Sequence, residues 1–173
     1  MSRSAIIIGG GAAGLSAALG LLSEGFRVEV LEQQPEWKGR VCGAFLNPDA
    51  VRNLASLGLL EKAQELGAPV PVAHLHGAKG ADATVFTAQD GTTGMALSRR
   101  ELEDLLRAAI QERGGAIVAG ARATAYTRAG TGWTVTSRGA SADASHTADV
   151  LVLADGRFSM AADEAKPDPG WYG

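Results

Sequence analysis

The sequence predicts an α/β fold, a doubly wound (Rossmann-like) parallel sheet with an antiparallel β excursion, in a single domain over residues 1–173. Three observations carry that reading. A short apolar strand, Ala5-Ile6-Ile7-Ile8, stops at a run of glycines and gives way to a helical pattern. A second strand over residues 28–31 follows, so that strand, turn, helix and strand fit into about thirty residues, the span of one βαβ unit. Residues 150–154 form a further unbroken apolar run, as expected of a strand buried on both faces of a parallel sheet.

The remaining elements follow in order. Leu15, Ala18, Leu19 and Leu22 share one face of the first helix, and Gly25 is placed to end it. Asn47 can cap a second helix whose first position suits Pro48. Leu54 and Leu57 follow before Gly58, and another short helical stretch ends near Gly67. Residues 69–97 alternate in part (Val70, Val72, His74 and His76, then Thr84 and Phe86) and read as the antiparallel excursion. Ser98 and Glu101 form a capping box for a helix whose stripe is Leu102, Leu105, Leu106, Ala109 and Ile110, with Gly114 at its end. A short strand over 116–119 precedes a hairpin of 122–128 and 133–138 around Gly130-Thr131-Gly132. The strand over 150–154 runs into Asp155-Gly156-Arg157, after which the pattern fades. Pro167, Pro169 and Gly170 precede Trp171 and Tyr172, two large aromatics with no following element to pack against, so a chain incomplete at its C-terminus is expected.

Composition narrows the function classes. The chain has 173 residues, 46% hydrophobic and 20% charged, enough for a real core. A net charge of −3 without a basic stripe argues against a nucleic-acid partner. The longest apolar runs, residues 5–8 and 150–154, fall far short of the roughly 20 residues of a membrane span. The first four residues lead directly into a strand, leaving no room for a signal peptide, and the single cysteine, Cys42, excludes an internal disulfide framework. A cytoplasmic location is expected. His74 and His76 share a strand face without a third ligand nearby, so no metal site is expected. Trp37, Trp133 and Trp171 are scattered and imply no aromatic platform.

Gly9-Gly10-Gly11-Ala12-Ala13-Gly14 fits G-x-G-x-x-G directly after the first strand. Gly9 permits the tight turn, Gly11 lets the backbone approach a pyrophosphate, and Gly14 lets the helix pack close to the sheet. The anion then sits at the helix N-terminus, against the amides of the turn and of Ala12 and Ala13, where the macrodipole favours negative charge. Glu32, at the end of the second strand, is placed to accept hydrogen bonds from both ribose hydroxyls of an adenosine and to repel a 2′-phosphate. These residues predict a site for the ADP half of a dinucleotide.

Three further segments distinguish among dinucleotides. They are Gly39-Arg40-Val41-Cys42-Gly43-Ala44-Phe45-Leu46-Asn47-Pro48, Ser98-Arg99-Arg100-Glu101-Leu102 and Ala154-Asp155-Gly156-Arg157-Phe158-Ser159. With the glycine turn, their order resembles that of the FAD-dependent oxidoreductases that include aromatic-ring monooxygenases and geranylgeranyl reductases, over nearly the whole chain. The Cys-Gly-x-x-Leu-x-Pro arrangement is more similar to the reductase-like branch than to the hydroxylases proper. The resemblance implies that Arg40 lies along FAD, that Arg99 reaches the cofactor, that Asp155 and Gly156 close a strand near its pyrophosphate, and that Cys42 and Gly43 lie near the flavin ring. Arg99 and Arg100 sit in a first helical turn, where the dipole disfavours cations, and a bound anion would remove that conflict. Taken alone, Cys42 reads as a small buried hydrophobe rather than a reactive thiol.

The resemblance further implies that the flavin takes hydride from NAD(P)H and then either activates oxygen to hydroxylate a small-molecule substrate or reduces a carbon–carbon double bond. No side chain stands out as a catalytic acid or base. A later Gly-Asp landmark of such flavoproteins has no counterpart after residue 159, which leaves a missing C-terminal half as an expectation. The alternatives are an inactive, truncated nucleotide-binding fragment and an NAD-dependent dehydrogenase, though the latter needs a catalytic group in the second half and none is evident.

Overall fold

Apolar strands bounded by glycines dictate the architecture seen in a computed structural model, which describes residues 2–36, 42, 44–77, 80–139, 142–156 and 159–160. In chain order its elements are β1 (Ser4–Ile8), α1 (Ala12–Ser23), β2 (Arg27–Glu32), β3 (Phe45–Leu46), α2 (Pro48–Ser56), α3 (Leu60–Leu66), β4 (Ala68–Val70), β5 (Val72–Gly77) and β6 (Gly80–Val85). They continue with β7 (Gly94–Ala96), α4 (Arg99–Glu112), β8 (Ala116–Ala119), β9 (Arg122–Ala129), β10 (Gly132–Arg138), β11 (Asp143–Ala148) and β12 (Val150–Leu153). The described residues fall into two compact units, one drawn from Met1–Trp37 and Leu106–Gly173 and the other from Lys38–Leu105.

The first unit is built on a parallel sheet of order β12-β1-β2-β8. Ile8 pairs with Leu31 on one side and with Leu153 on the other, so β1, β2 and β12 end level. The ladder runs one step further on each side, from Gly9 N–H to the Leu31 carbonyl and from Ala154 N–H to the Ile8 carbonyl. Side chains alternate across the strands. Ile6, Ile8 and Leu31 cluster with Ala121, Val135 and Ala148, under a second, antiparallel sheet of order β11-β10-β9. Ile7 and Val30 take the opposite face and are fully buried, as are Leu15 and Leu19 of α1.

Two departures from the sequence reading have physical causes. β11 was not evident because its exposure is almost continuous: only His146 and Ala148 turn inward, so no apolar alternation marks it. β12 is half-buried throughout rather than buried on both faces, because it lies at the edge of the sheet and pairs only with β1 among the described strands.

A polar chain fastens the antiparallel sheet to β2. The Ser137 hydroxyl lies 2.9 Å from His146 Nε2, and His146 Nδ1 lies 2.9 Å from Glu29 Oε2. An ionised carboxylate only accepts, so Nδ1 carries the proton and, in the neutral ring, Nε2 accepts from the hydroxyl. The order of groups matches that of a nucleophilic triad, but Ser137 is only 2% exposed, so no substrate reaches its oxygen. The arrangement is a structural staple. Elsewhere in this unit, Asp149 accepts from the Ser4 N–H at 2.7 Å and from the Ser4 hydroxyl at 3.0 Å, and these bonds hold its carboxyl below the ordinary value of 3.8.

The second unit holds the antiparallel excursion where the sequence placed it. β3, β7 and β4 form one sheet in that order, and β5 pairs with β6 as a hairpin. Asn47 caps α2 by accepting from Ala50 N–H at 2.9 Å, with Pro48 at the first position. Val51, Leu54 and Ala63 bury the inner faces of α2 and α3. At the start of α4, the Ser98 hydroxyl accepts from Glu101 N–H at 3.2 Å and the Glu101 carboxylate accepts from Ser98 N–H at 3.3 Å, a complete capping box. His74 and His76 are exposed, and no group able to hold a metal ion occurs among the described residues.

Two outcomes test these contacts. His146→Ala strands the buried Ser137 hydroxyl and is expected to lower stability by about 1–3 kcal/mol in urea unfolding, with much of the loss absent in a Ser137→Ala background. The lowered carboxyl of Asp149 favours the ionised form in the folded state. Its contribution is therefore complete above 3.8 and lost as pH falls through the lower folded value, and Asp149→Asn is expected to flatten that part of a stability–pH profile.

Candidate functional site

The level ends of β1, β2 and β12 form a shelf, and the glycine turn leaves β1 at its centre. Ligands in open α/β sheets bind at this carboxyl edge. Gly9 has φ +109, and a Cβ there would stand 2.3 Å from the Ala154 carbonyl oxygen. A Cβ on Gly14 would stand 2.0 Å from the Gly9 carbonyl oxygen, so the helix packs on the turn with no room for a side chain. Gly10, the variable position of the motif, is nearly as constrained: a Cβ would lie 2.9 Å from that of Glu32. Gly11 differs. Its φ of −83 and ψ of 178 suit any residue, so the backbone alone does not demand glycine there.

Gly11 is the N-cap of α1 and brings no capping side chain, and the first turn contains no acid. Ala12 and Ala13 add none. The first amides of α1 therefore carry a partial positive charge uncompensated by a capping side chain or a first-turn acid, an arrangement that suits an anion.

Glu32 ends β2 and is only 6% exposed. Its Oε2 accepts from Gly10 N–H at 2.7 Å and its Oε1 accepts from Gln34 N–H at 2.8 Å. The sequence assigned both oxygens to ribose hydroxyls; here each also has a partner within the protein. A carboxylate offers about four acceptor positions, so room for further hydrogen bonds remains.

Asp155 follows β12 and borders the same turn, since a Cβ on Gly9 would lie 3.0 Å from its backbone nitrogen. Its Oδ2 accepts from Met160 N–H at 2.5 Å, whereas Oδ1 is buried with no donor among the described residues. An unsatisfied buried acceptor costs about 1–3 kcal/mol, which a ligand donor would offset. Gly156 takes φ +85. The structure thus brings Gly9, Gly11, Ala12, Ala13, Gly14, Glu32, Asp155 and Gly156 to one edge of one unit.

The remaining expected residues belong to the second unit or lie outside the described residues. Arg99 belongs to the second unit, where its Nε lies 2.8 Å from Oε1 of Glu103, a carboxylate only 4% exposed. Arg100 lies 3.6 Å from Asp104. The dipole conflict expected in the first turn of α4 is therefore met by carboxylates one turn along the helix, and no bound anion is needed to explain it. Cys42 is exposed rather than buried, at a position outside the described helices and strands. Arg40 and Gly43 lie outside the described residues, as do Arg157, Phe158 and the aromatic terminus. One residue that the sequence reading missed does reach the turn: Arg107 of α4 donates from Nη2 to the Gly10 carbonyl at 2.9 Å. Its partner lies 97 positions away, so no local spacing marks it.

A rigid glycine turn against a helix start, with an acid at the end of the neighbouring strand, makes this a dinucleotide-binding protein. Residues 3–168 match the sequence profile of the FAD binding domain family, and the chain belongs to that family. The orphaned Asp155 oxygen and the crowded turn fit such a group. Over 59 residues the chain is 46% identical to 3-hydroxybenzoate 6-hydroxylase of Polaromonas naphthalenivorans (strain CJ2), a stretch covering 34% of this chain and 15% of that protein. Its fold resembles that of a point variant of 2-methyl-3-hydroxypyridine-5-carboxylic acid oxygenase, with a TM-score of 0.79 at 26% identity over 94% of this chain and 42% of that one. The flavin-dependent monooxygenase PieE, solved with FAD and substrate, gives a TM-score of 0.78 at 21% identity over 92% of this chain and 31% of that one. The chain spans less than half the length of these relatives.

Glu32→Gln tests the link between β2 and the turn. An amide can accept from only one of the two backbone donors and turns an NH2 toward the other. The expected loss is about 1–3 kcal/mol in urea unfolding without ligand; an unchanged midpoint would contradict the geometry.

Proposed function

We propose that this chain is the FAD-binding part of a flavin-dependent monooxygenase that hydroxylates a small aromatic molecule, with NAD(P)H as the reductant. The observation that carries it is the turn itself, whose crowded glycines, bare helix start and buried neighbouring acid suit the ADP half of FAD. The first amides of α1 at Ala12 and Ala13, with Gly11, hold the pyrophosphate. Glu32 takes the ribose hydroxyls with its remaining lone pairs, and Asp155 and Gly156 lie beside the pyrophosphate, with the free Asp155 oxygen accepting from a cofactor hydroxyl. Arg99 keeps guanidinium donors beyond the Nε used by Glu103 and, with Arg40, Cys42 and Gly43, belongs to the flavin-side contacts that the family resemblance implies. Bound FAD supplies hydride acceptance from a reduced nicotinamide and the activation of oxygen, chemistry no side chain here provides. The protein's share is binding, orientation and exclusion of water.

Hydroxylation is favoured over double-bond reduction because the relatives include 3-hydroxybenzoate 6-hydroxylases and a hydroxypyridine-carboxylic acid oxygenase, named for small aromatic acids. The reaction is proposed for a protein that also contains the remainder found in those longer relatives. Because the family match runs across both compact units, 1–173 is read as one FAD-binding domain. No described helix is long and apolar enough to cross a membrane, and a cytoplasmic site of action is part of the proposal.

Titration of the purified chain with FAD, followed by flavin fluorescence, tests the reading. Saturable binding competed by ADP is expected. A 2′-phosphorylated ADP should compete at least about 10-fold less well, because the buried Glu32 carboxylate opposes its added charge. A folded chain that binds NAD and not FAD would overturn the proposal.

A further inference from the structure

We infer that Arg107 is a positioning residue for the cofactor's pyrophosphate, aiming the Gly11 N–H by holding the Gly10 carbonyl. The inference rests on the FAD reading above and adds a residue to the site. Gly10 joins two peptide planes, and both are held by side chains. Its N–H, in the Gly9–Gly10 plane, donates to Glu32 Oε2 at 2.7 Å. Its carbonyl, in the Gly10–Gly11 plane, accepts from Arg107 Nη2 at 2.9 Å. Because a trans peptide is planar, a carbonyl and the following N–H point in opposite directions, so fixing one fixes the other. The contact from α4 therefore sets the direction of the Gly11 N–H without touching it.

Glycine is the residue for which such outside control matters most, since its backbone has the widest choice of conformations. Three consecutive glycines give the turn three such positions. Gly9 is restrained by its N–H bond to the Leu31 carbonyl, and the Gly11 carbonyl accepts from Leu15 N–H at 2.9 Å as the first helical bond. The Gly10–Gly11 plane between them is held by Arg107. Among the described residues no protein group accepts from the Gly11 N–H. That donor, at the cap of a helix with no capping side chain, is the one a phosphate oxygen would meet. A part-buried guanidinium also keeps a fixed positive charge beside a site for an anion, while the acid on the other side of Gly10 is engaged by backbone donors.

The test compares FAD, ADP and adenosine binding to the wild-type chain, Arg107→Gln and Arg107→Lys. Fluorescence serves for FAD, and ligand-observed NMR serves for the other two. Hydrogen bonds to charged groups imply that Arg107→Gln loses about 10- to 100-fold in affinity for FAD and ADP. Adenosine, which has no phosphate, should bind both proteins equally. Arg107→Lys, whose ammonium can still donate to the carbonyl, should recover part of the loss. If Arg107→Gln is insoluble, Arg107→Lys carries the test, with reduced ADP affinity and unchanged adenosine affinity expected. Wild-type affinity for FAD in both variants would overturn the inference, as would an equal loss for ADP and adenosine, which marks a structural role. A wild-type chain that binds no FAD overturns the reading beneath it and the inference with it.

Discussion

The bond from Gly10 N–H to the Glu32 carboxylate organises the nucleotide edge of this protein. A carboxylate only 6% exposed is stable there because both oxygens receive backbone donors, from Gly10 and from Gln34. The bond fixes where the turn passes over the end of β2, which in turn leaves no space for a Cβ on Gly10. The register that levels Ile8, Leu31 and Leu153 is what brings the acid, the turn and Asp155 to one edge. A shift of one residue in β2 would move Glu32 to the opposite face.

What the sequence could show was set by how local each signal is. The glycine turn, the two helix caps and the apolar stripes of α1 and α4 are written within a few consecutive residues, and the structure places them as read. The Asn47 cap and the Ser98–Glu101 box hold in atomic detail. Long-range pairings left no such trace. Arg107 meets Gly10 across 97 positions and His146 meets Glu29 across 117, and nothing near either residue announces its partner. β11 was hidden for another reason, since a strand exposed at every position but His146 and Ala148 lacks the apolar alternation that reveals strands. Glu32 was found by position but its inward bonds were not, because backbone donors are invisible in side-chain identities. Arg99 and Arg100 have partners that local spacing alone did not single out, Glu103 and Asp104 one turn along the same helix.

The division between what is general and what is particular follows from this geometry. The turn, its acid and the shelf are proposed to recognise features common to every adenine dinucleotide, and oxygenases named for different molecules share the fold. In the proposed reading, the charge of Glu32 discriminates among cofactors by opposing a 2′-phosphate. The buried Ser137–His146–Glu29 chain shows why arrangement alone does not make a site: the groups stand in the order of a catalytic triad, yet the hydroxyl is sealed from solvent.

The turn is set before any nucleotide arrives. Backbone amide resonances of Gly9, Gly10 and Gly11, recorded with and without ADP, examine it directly. The account predicts a large downfield shift at Gly11, whose N–H gains a phosphate acceptor, and a nearly unmoved Gly10, whose N–H is already bonded to Glu32. A Gly10 resonance that moves as far as that of Gly11 would mean that Glu32 releases the turn on binding, and would contradict it.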